Sequence, residues 1–312
     1  MLHLTLRQLR VFESVVRHLS FSRAAEELSL SQPAVSMQIK QLEENVGLPL
    51  FEQLGKRIYL TEAGHELLHY SRAVTQQLTE MEAAIDQLKG VERGKLNISV
   101  LSSANYFTPR LLAKFCQRHP GVTVSLNVAN RSAVLRQLAD NETDLAIMGQ
   151  RPEDLDVVAE SFMENPLVVI AAPSHPLTRE HRIPVKRLKQ EVFLMREPGS
   201  GTRGAMERFF AEHKITLNQG MQMETNVAIK QAVQAGMGLC ILSLHTAELE
   251  LETQRLKVLD VQGFPIIRHW YVVHREHKRL SAVAQAFKGF LLKEAAKLMQ
   301  KAAEKSGIKN PA

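Results

Sequence analysis

Residues 21–40 of the chain read FSRAAEELSLSQPAVSMQIK, and this stretch predicts two short helices joined by a tight turn. Ser22 can cap the first helix, whereas Ser31 or Gln32 can cap the second, in which Pro33 occupies the first turn. An apolar stripe follows the second helix at helical spacing and consists of Val35, Ile39, Leu42 and Val46. The opposite, polar face carries Gln32, Ser36, Lys40 and Glu43. Short hydrogen-bonding side chains at the start of such a helix suit base edges in the major groove of DNA, although a helical hairpin with a solvated face has the same pattern.

The neighbouring sequence favours the DNA-binding alternative. Residues 5–8 form a capping-box pattern that predicts a further helix before the pair. Residues 50–60 predict a β-hairpin with Lys56 and Arg57 at its tip. A basic hairpin tip beside a recognition helix is well placed to contact phosphates or the minor groove. The N-terminal part therefore predicts an all-α winged helix-turn-helix domain.

A long helix follows, and its apolar residues recur at alternating steps of four and three. The stripe has one polar member, Ser71, and its apolar members are Leu67, Val74, Leu78, Met81, Ile85 and Leu88. A heptad stripe of this length needs a partner helix, so it predicts a dimer. The alternative is a helix that packs within its own subunit, but no neighbouring segment would cover the stripe.

Beyond residue 93 the pattern changes to alternating strands and helices. Repeated βαβ units imply parallel sheets covered by helices, so the predicted fold class is α/β. Proline-containing crossovers near residues 165 and 265 suggest two lobes joined by two strands, and the first crossover separates predicted strands at 157–162 and 167–172. The predicted bounds are a DNA-binding domain at 1–61, a linker helix at 62–93 and a C-terminal domain at 94–312, with lobe I at 94–164 plus 267–305 and lobe II at 165–266.

Polar residues follow several predicted strands of this domain, where ligands of such sheets bind. They are Ser102, Ser103, Asn130, Asn226, and Gly201, Thr202 and Arg203 of the turn GSGTRG. Each can equally cap a helix, but their shared position after strand ends favours a ligand cleft. A glycine-rich turn at a helix N-terminus suits an anion.

The GSGTRG turn, residues 199–204, also matches the dinucleotide-binding fingerprint in form, which makes an NAD(P)-dependent oxidoreductase a distant alternative. Three features count against it. Polar residues precede the first glycine, the turn lies in the middle of a domain, and no constellation of general acid, base or nucleophile accompanies it. The sequence therefore predicts a binding protein, with no enzymatic activity, no cofactor and no metal site.

Composition sets further bounds. The chain has 312 residues, of which 45% are hydrophobic and 23% charged, as in soluble globular proteins. No apolar run approaches the roughly 18 residues of a membrane span, and charged residues interrupt the N-terminus where a signal peptide would lie, so no membrane partner and a cytoplasmic location are expected. The two cysteines, Cys116 and Cys240, are expected to be buried free thiols.

The net charge of +6 does not by itself indicate nucleic acid. From Arg268 onward the chain has ten basic and three acidic residues, so this tail alone carries +7 and the remainder −1. A solvated helix face explains the tail. DNA binding therefore rests on the motif and on local charges.

Residues 4–64, with the segments SQPAVS and LFEQLGKRIYLTEAG, strongly resemble the LysR-type transcriptional regulators. The resemblance extends over the whole chain and implies that the C-terminal domain is a two-lobed effector-binding domain like a periplasmic binding protein. The segments LFEQLGKRIYLT and EPGSGTR are also similar to the subgroup that controls RuBisCO (Calvin-cycle) operons. An operon of unrelated metabolism is the alternative.

The resemblance implies roles for residues and partners. DNA contacts are expected from Ser31, Gln32, Pro33, Ser36, Lys40, Lys56 and Arg57. Double-stranded operator DNA is the expected partner, activation is the expected outcome, and RNA polymerase is a candidate partner. The family forms tetramers as dimers of dimers. Members of the subgroup respond to phosphorylated metabolites or NADPH, so such an effector is expected between the lobes.

Overall fold

The computed structural model describes residues 4–55, 57–87, 93–153 and 155–305. The chain divides into two compact units, Met1–Met81 and Glu82–Ala312. Each unit has its own apolar core. The long helix predicted between the two domains crosses the boundary between the units, so the predicted domain bounds stay a prediction.

Three helices open the first unit: α1 (Leu6–His18), α2 (Phe21–Leu28) and α3 (Gln32–Val46). The predicted capping box is present on α1, where the Thr5 hydroxyl accepts a hydrogen bond from the Gln8 backbone at 3.2 Å. The prediction that Ser22 caps α2 is wrong. The helix begins at Phe21, and Ser20 provides the capping oxygen instead. Ser31 caps α3, as its position before Pro33 predicts.

A two-stranded hairpin and a long helix complete this unit: β1 (Phe51–Leu54), β2 (Arg57–Leu60) and α4 (Glu62–Gln87). The Glu43 carboxylate of α3 accepts hydrogen bonds from the backbone N–H groups of Leu50 at 2.8 Å and Phe51 at 3.3 Å. These bonds tie the end of α3 to the start of the hairpin. The apolar core of this unit contains Phe12, Val15, Val35, Ile39, Leu42 and Leu50. A winged helix-turn-helix is therefore confirmed.

The second unit alternates strands and helices. Its strands are β3 (Gly94–Leu101), β4 (Val122–Ala129), β5 (Leu145–Met148), β6 (Val157–Ala171), β7 (Val192–Arg196), β8 (Asn218–Met223), β9 (Cys240–Ser243), β10 (Lys257–Val258) and β11 (Ile266–Arg275). Its α-helices are α5 (Thr108–Arg118), α6 (Arg131–Ala139), α7 (Gly201–Glu212), α8 (Asn226–Gln234), α9 (Leu244–Glu252) and α10 (Ala282–Lys305). This arrangement confirms the α/β class and the change of pattern after residue 93.

Two long antiparallel strands, β6 and β11, connect the lobes. The main sheet has the order β10-β6-β11-β5-β3-β4, with β9 also paired to β6, whereas β7 and β8 form a separate parallel pair. Predicting two strands around Asn165-Pro166 was wrong, because β6 is continuous over 15 residues. β9 pairs with β6 only from Leu167 onward. Pro166 therefore has no neighbouring strand on that side, where its missing N–H is tolerated.

No α-helix in the described part of the chain is both long and apolar enough to cross a bilayer. The described ranges also contain no group of three or more His, Cys, Asp or Glu side chains suited to a metal ion. Both cysteines are free: Cys240 is buried, and Cys116 is only partly buried.

Gly64 in the first turn of α4 provides a test of this packing. A Cβ atom at this position would lie 2.2 Å from the Leu50 carbonyl oxygen and 2.6 Å from Leu60 Cδ2. We expect Gly64→Ala to destabilise the first unit by about 1–3 kcal/mol, because backbone must move to accept the methyl group. The measurement is urea unfolding followed by circular dichroism.

Gly289→Ala is the matched control, because Gly289 also lies in a helix and, apart from its neighbours in that helix, no described atom lies within 4 Å of the place that its new methyl group would take. Alanine is the better helix former by about 1 kcal/mol, so this variant should be neutral or slightly more stable. Equal stability of the two variants would contradict the close approach of Leu50 to Gly64.

Candidate functional site

Helix α3 exposes one face along its first three turns. Gln32, Pro33, Met37 and Lys40 are exposed and Ser36 is partly so, whereas Val35, Ile39 and Leu42 are buried on the other side. Gln32 Nε2 donates a hydrogen bond to Ser36 Oγ at 2.8 Å. This bond leaves the amide oxygen of Gln32 as an acceptor and the hydroxyl proton of Ser36 as a donor for a partner. This face can read the edges of base pairs.

Three carboxylates of the first unit are engaged inside it. Glu13 accepts hydrogen bonds from Ser71 and Thr75, and Glu43 binds the backbone at the start of the hairpin. Glu27 accepts from Ser14 at 2.7 Å and pairs with Arg17 and His18. Burial works to raise the pKa of Glu27, but these hydrogen bonds and cations together hold it below its usual value.

The surface of this unit also carries exposed basic side chains. They are Arg7, Arg10, Arg23, Lys40 and Arg57. Arg57 opens β2 opposite Leu54, directly after the hairpin turn. Lys56, the other predicted wing contact, lies outside the described residues. Exposed carboxylates such as Glu26, Glu44 and Glu52 lie on the same unit, so these cations provide positive charge only at their own positions.

The predicted dimerisation stripe of α4 is mostly exposed. Val74, Met81 and Ile85 expose 41%, 52% and 46% of their surfaces, and Leu78 is partly buried. Leu67, by contrast, packs against the core of the first unit. Leu88 lies outside the described residues. An apolar stripe of this kind suits a partner helix over its C-terminal half.

A cavity of about 30 Å³ lies between the lobes of the second unit. Lobe I contributes the ends of β3 and β5 and the N-terminus of α6, and lobe II contributes the end of β7 and the N-terminus of α7. Arg268 and Trp270 of β11 line the cavity from the connecting strands. A cavity of this size holds only a few water molecules.

Five of the seven predicted ligand residues line this cavity: Ser102, Ser103, Asn130, Gly201 and Thr202. Asn130 is also the N-cap of α6, since its side-chain oxygen accepts from the Ala133 backbone at 3.0 Å. Of the two alternatives, ligand contact or helix cap, the Asn130 side chain therefore serves as a helix cap.

The other two predicted residues, Arg203 and Asn226, do not line the cavity. The Arg203 guanidinium donates to Glu207 at 2.7 Å and to Gln222 and the Arg196 carbonyl oxygen at 3.0 Å. Asn226 is buried and accepts a hydrogen bond from the Arg196 guanidinium. Both contact Arg196, which does line the cavity.

Arginines other than the predicted Arg203 line the cavity instead. Arg131 and Arg268 line it together with Arg196, which pairs with Glu197. Within the described ranges, no carboxylate forms an ion pair with Arg131 or Arg268. Burial, and then the positive charges of Arg208 and Arg131, lower the pKa of Arg268 to about 10. An anion in the cavity would relieve this repulsion.

Arg268 also connects the two lobes. Its guanidinium donates to the Gly149 carbonyl oxygen in lobe I and the Gly201 carbonyl oxygen in lobe II, both at 2.6 Å. The buried side chain of Asn165, which faces Arg268 across the strand pair, lines the same cavity. Its Oδ1 atom has no hydrogen-bond partner among the described residues. The cavity thus combines the guanidinium groups of Arg131 and Arg268, which have no ion-pair partner among the described residues, with an Asn165 oxygen that can accept a hydrogen bond from a ligand.

A second contact between the lobes lies beside the cavity. Arg110 of α5 forms two hydrogen bonds with Glu248 of α9, at 3.2 and 3.3 Å. The Phe107 and His245 rings lie 5.6 Å apart in the same contact. Burial, and then the Arg110 charge, lower the pKa of His245 from 6.5 to about 4. His245 is therefore neutral at pH 7.

Two family models match the chain. Residues 6–65 match the bacterial regulatory helix-turn-helix protein of the lysR family, and residues 89–296 match the LysR substrate binding domain. Together they cover α1–α3, the hairpin, the start of α4 and nearly all of the two-lobed unit.

Named relatives match over nearly the full length. A RuBisCO operon transcriptional regulator of Allochromatium vinosum is 59% identical over 95% of this chain and 98% of its own. The HTH-type transcriptional activator CmpR of Synechocystis sp. is 47% identical over 92% of this chain and 94% of its own. Among solved structures, the Synechocystis CcmR regulatory domain in complex with 2-PG is 42% identical, with a TM-score of 0.62, and covers 64% of this chain and 96% of its own.

His245 generates a prediction about pH. Its pKa in the folded protein is below the unfolded value of 6.5, so the unfolded state binds the proton more tightly. The free energy of unfolding should therefore fall as the pH drops from 6.5 towards 4, by at most about 1.4 kcal/mol per pH unit from this group. Urea unfolding at a series of pH values measures the slope.

His245→Gln should flatten that slope between pH 6.5 and 4, whereas His277→Gln, a change at an exposed histidine, should leave it unaltered. A slope that is the same in all three proteins would show that His245 is not held neutral by its surroundings.

Proposed function

The chain belongs to the LysR family of DNA-binding transcriptional regulators, and from that premise we propose that it controls a RuBisCO operon as an activator. The support is the 59% identity to a RuBisCO operon regulator and the 47% identity to an activator, each over more than 90% of the chain. An unrelated metabolic operon is the alternative. The family consists of regulators, so the chain is not an enzyme, and the GSGTRG turn serves to start α7 at the cleft.

The face of α3 is the proposed reader of base pairs. Gln32 and Ser36 present an acceptor and a donor at its N-terminal end, with Ser31 and Pro33 beside them. Lys40, Lys56 and Arg57 are the proposed phosphate and wing contacts. Base-edge contacts determine sequence preference, whereas phosphate contacts determine position and affinity.

The proposed assembly is a homodimer through α4 that pairs into a tetramer. The exposed Val74, Met81 and Ile85 support it, because a partner helix would remove their apolar surface from water. A dimer presents two α3 helices to two half-sites of an operator. RNA polymerase is the proposed partner in activation, and the cytoplasm, where operator DNA lies, is the proposed location.

The cleft is the proposed binding site of a small anionic effector. One observation carries this proposal: Arg131 and Arg268 line the same cavity, and the N-termini of α6 and α7, with their partial positive charge, lie at it too. The complex of the CcmR regulatory domain with 2-PG supports a small ligand in such a domain. We favour a small phosphorylated metabolite over NADPH, because the similar CcmR regulatory domain was solved with the small ligand 2-PG.

The DNA-binding proposal predicts different defects for α3 and for the wing. Gln32→Ala should weaken operator binding by about 1–3 kcal/mol and reduce discrimination among sequences. Arg57→Ala should weaken binding to all sequences alike and lower the slope of log affinity against log salt by about one. Fluorescence anisotropy on the DNA upstream of the RuBisCO operon, at several salt concentrations, measures both. Equal loss of discrimination in the two variants would contradict the assigned roles.

The effector proposal predicts which arginines matter. Arg131→Gln and Arg268→Gln should each weaken binding of 2-PG by about 1.5–3 kcal/mol, because each removes hydrogen bonds to a charged group. Arg203→Gln is the matched control and should bind normally, since Arg203 does not line the cavity. Isothermal titration calorimetry with 2-PG and, separately, NADPH gives the affinities.

Normal 2-PG binding by both cavity variants would place the site elsewhere. Loss of binding in Arg203→Gln alone would restore the role that the sequence assigned to this residue.

A further inference from the structure

Met37 is the most exposed large apolar side chain on α3. It exposes 61% of its surface, although methionine is among the residues most often buried. Pro33, one helical turn earlier, is also exposed, so the two form a continuous apolar strip on the face that carries Gln32 and Ser36. Isolated exposed apolar residues are common, but this one lies at the centre of a surface that meets a partner.

The charges on α3 show which part of the helix can approach DNA. Lys40 is exposed one turn after Met37, whereas the exposed Glu44 lies a further turn towards the C-terminus. Phosphates would repel Glu44, so the N-terminal half of the helix faces the groove. Met37 then lies between the hydrogen-bonding side chains at the start of the helix and the cation at position 40.

The chemistry of the major groove narrows what Met37 can touch there. Base edges in this groove offer hydrogen-bond donors and acceptors, and their one distinctive apolar group is the 5-methyl group of thymine. A thioether side chain has no strong donor or acceptor, and its three rotatable bonds let it adapt to an apolar contact. Contact with a polar base edge would leave that edge without a hydrogen bond in a dehydrated interface.

We propose that Met37 is a specificity-determining residue that recognises a thymine through its 5-methyl group. The inference rests on the proposed placement of α3 in the major groove, and it adds an apolar contact to the polar contacts of Gln32 and Ser36. Removal of Met37 from water by that methyl group stabilises the complex with thymine over complexes with cytosine or uracil at that position.

Deoxyuridine provides the direct test, because it differs from thymidine only by the missing methyl group. The probe is a duplex that the full-length protein selects from a random pool, in which each thymidine is replaced singly by deoxyuridine. At one position in each half-site, the replacement should weaken binding about fourfold, the effect of one buried methyl(ene) group. Quantitative gel-shift titration gives the affinities.

Three variants separate the apolar contact from other roles of α3. Met37→Gln has a similar length and should become insensitive to deoxyuridine, whereas Met37→Leu should keep the sensitivity. Gln32→Ala should lose discrimination elsewhere but still respond to deoxyuridine. All of the replacements are good helix formers, and Met37 is not in the core, so folding should be preserved.

Sensitivity to deoxyuridine that is equal in the wild type and in Met37→Gln would overturn the inference, as would its absence in the wild type. If Gln32→Ala still altered discrimination, the DNA-binding role of α3 would stand without Met37. Normal DNA binding by Met37→Gln together with loss of transcriptional activation would instead place Met37 in a contact with another protein, and would also overturn the inference.

Discussion

The antiparallel pairing of β6 with β11 is the constraint on which the ligand cleft depends. These two strands run through both lobes, and in their register Asn165 lies opposite Arg268. The pairing therefore fixes one buried amide and one buried guanidinium at the boundary between the lobes. The ends of β3, β5 and β7 and the starts of α6 and α7 then converge on the same place. Without the strand pair, these groups would belong to two unrelated surfaces.

Local signals in the sequence predicted the first unit well. The capping box at Thr5, the N-cap at Ser31 and the apolar stripe of α3 are all patterns within a few residues, and the structure confirms each. Even the error at α2 is local, because Ser20 and Ser22 are both suitable caps and only the helix start decides between them. Resemblance to a family added the kind of operon, which no propensity or spacing contains.

The cleft was predicted less completely because its residues meet only through tertiary structure. Small polar residues and glycines after strand ends predicted a ligand cleft. The cavity is indeed lined by Ser102, Ser103, Gly201 and Thr202. No local pattern marked Arg268, since it lies within a strand and reaches the cavity only because β11 passes between β6 and β5. Arg203 was the opposite case. Its place in the GSGTRG turn suggested an anion contact, but one step along a helix changes the direction of a side chain by about 100°, and here it turns Arg203 towards Glu207 and Gln222.

The position of Arg268 explains how a ligand in this cleft would have the differential affinity that regulation requires. A ligand shifts a conformational equilibrium only if it binds the two conformations differently. Arg268 donates to a carbonyl oxygen of each lobe, so separating Gly149 from Gly201 would break at least one of these bonds and change the charge that the cavity presents. Arg131 belongs to lobe I and the N-terminus of α7 to lobe II, so an anion that touches both binds more tightly when the lobes are close. The same arginines that would attract an anion would therefore also make its binding depend on closure.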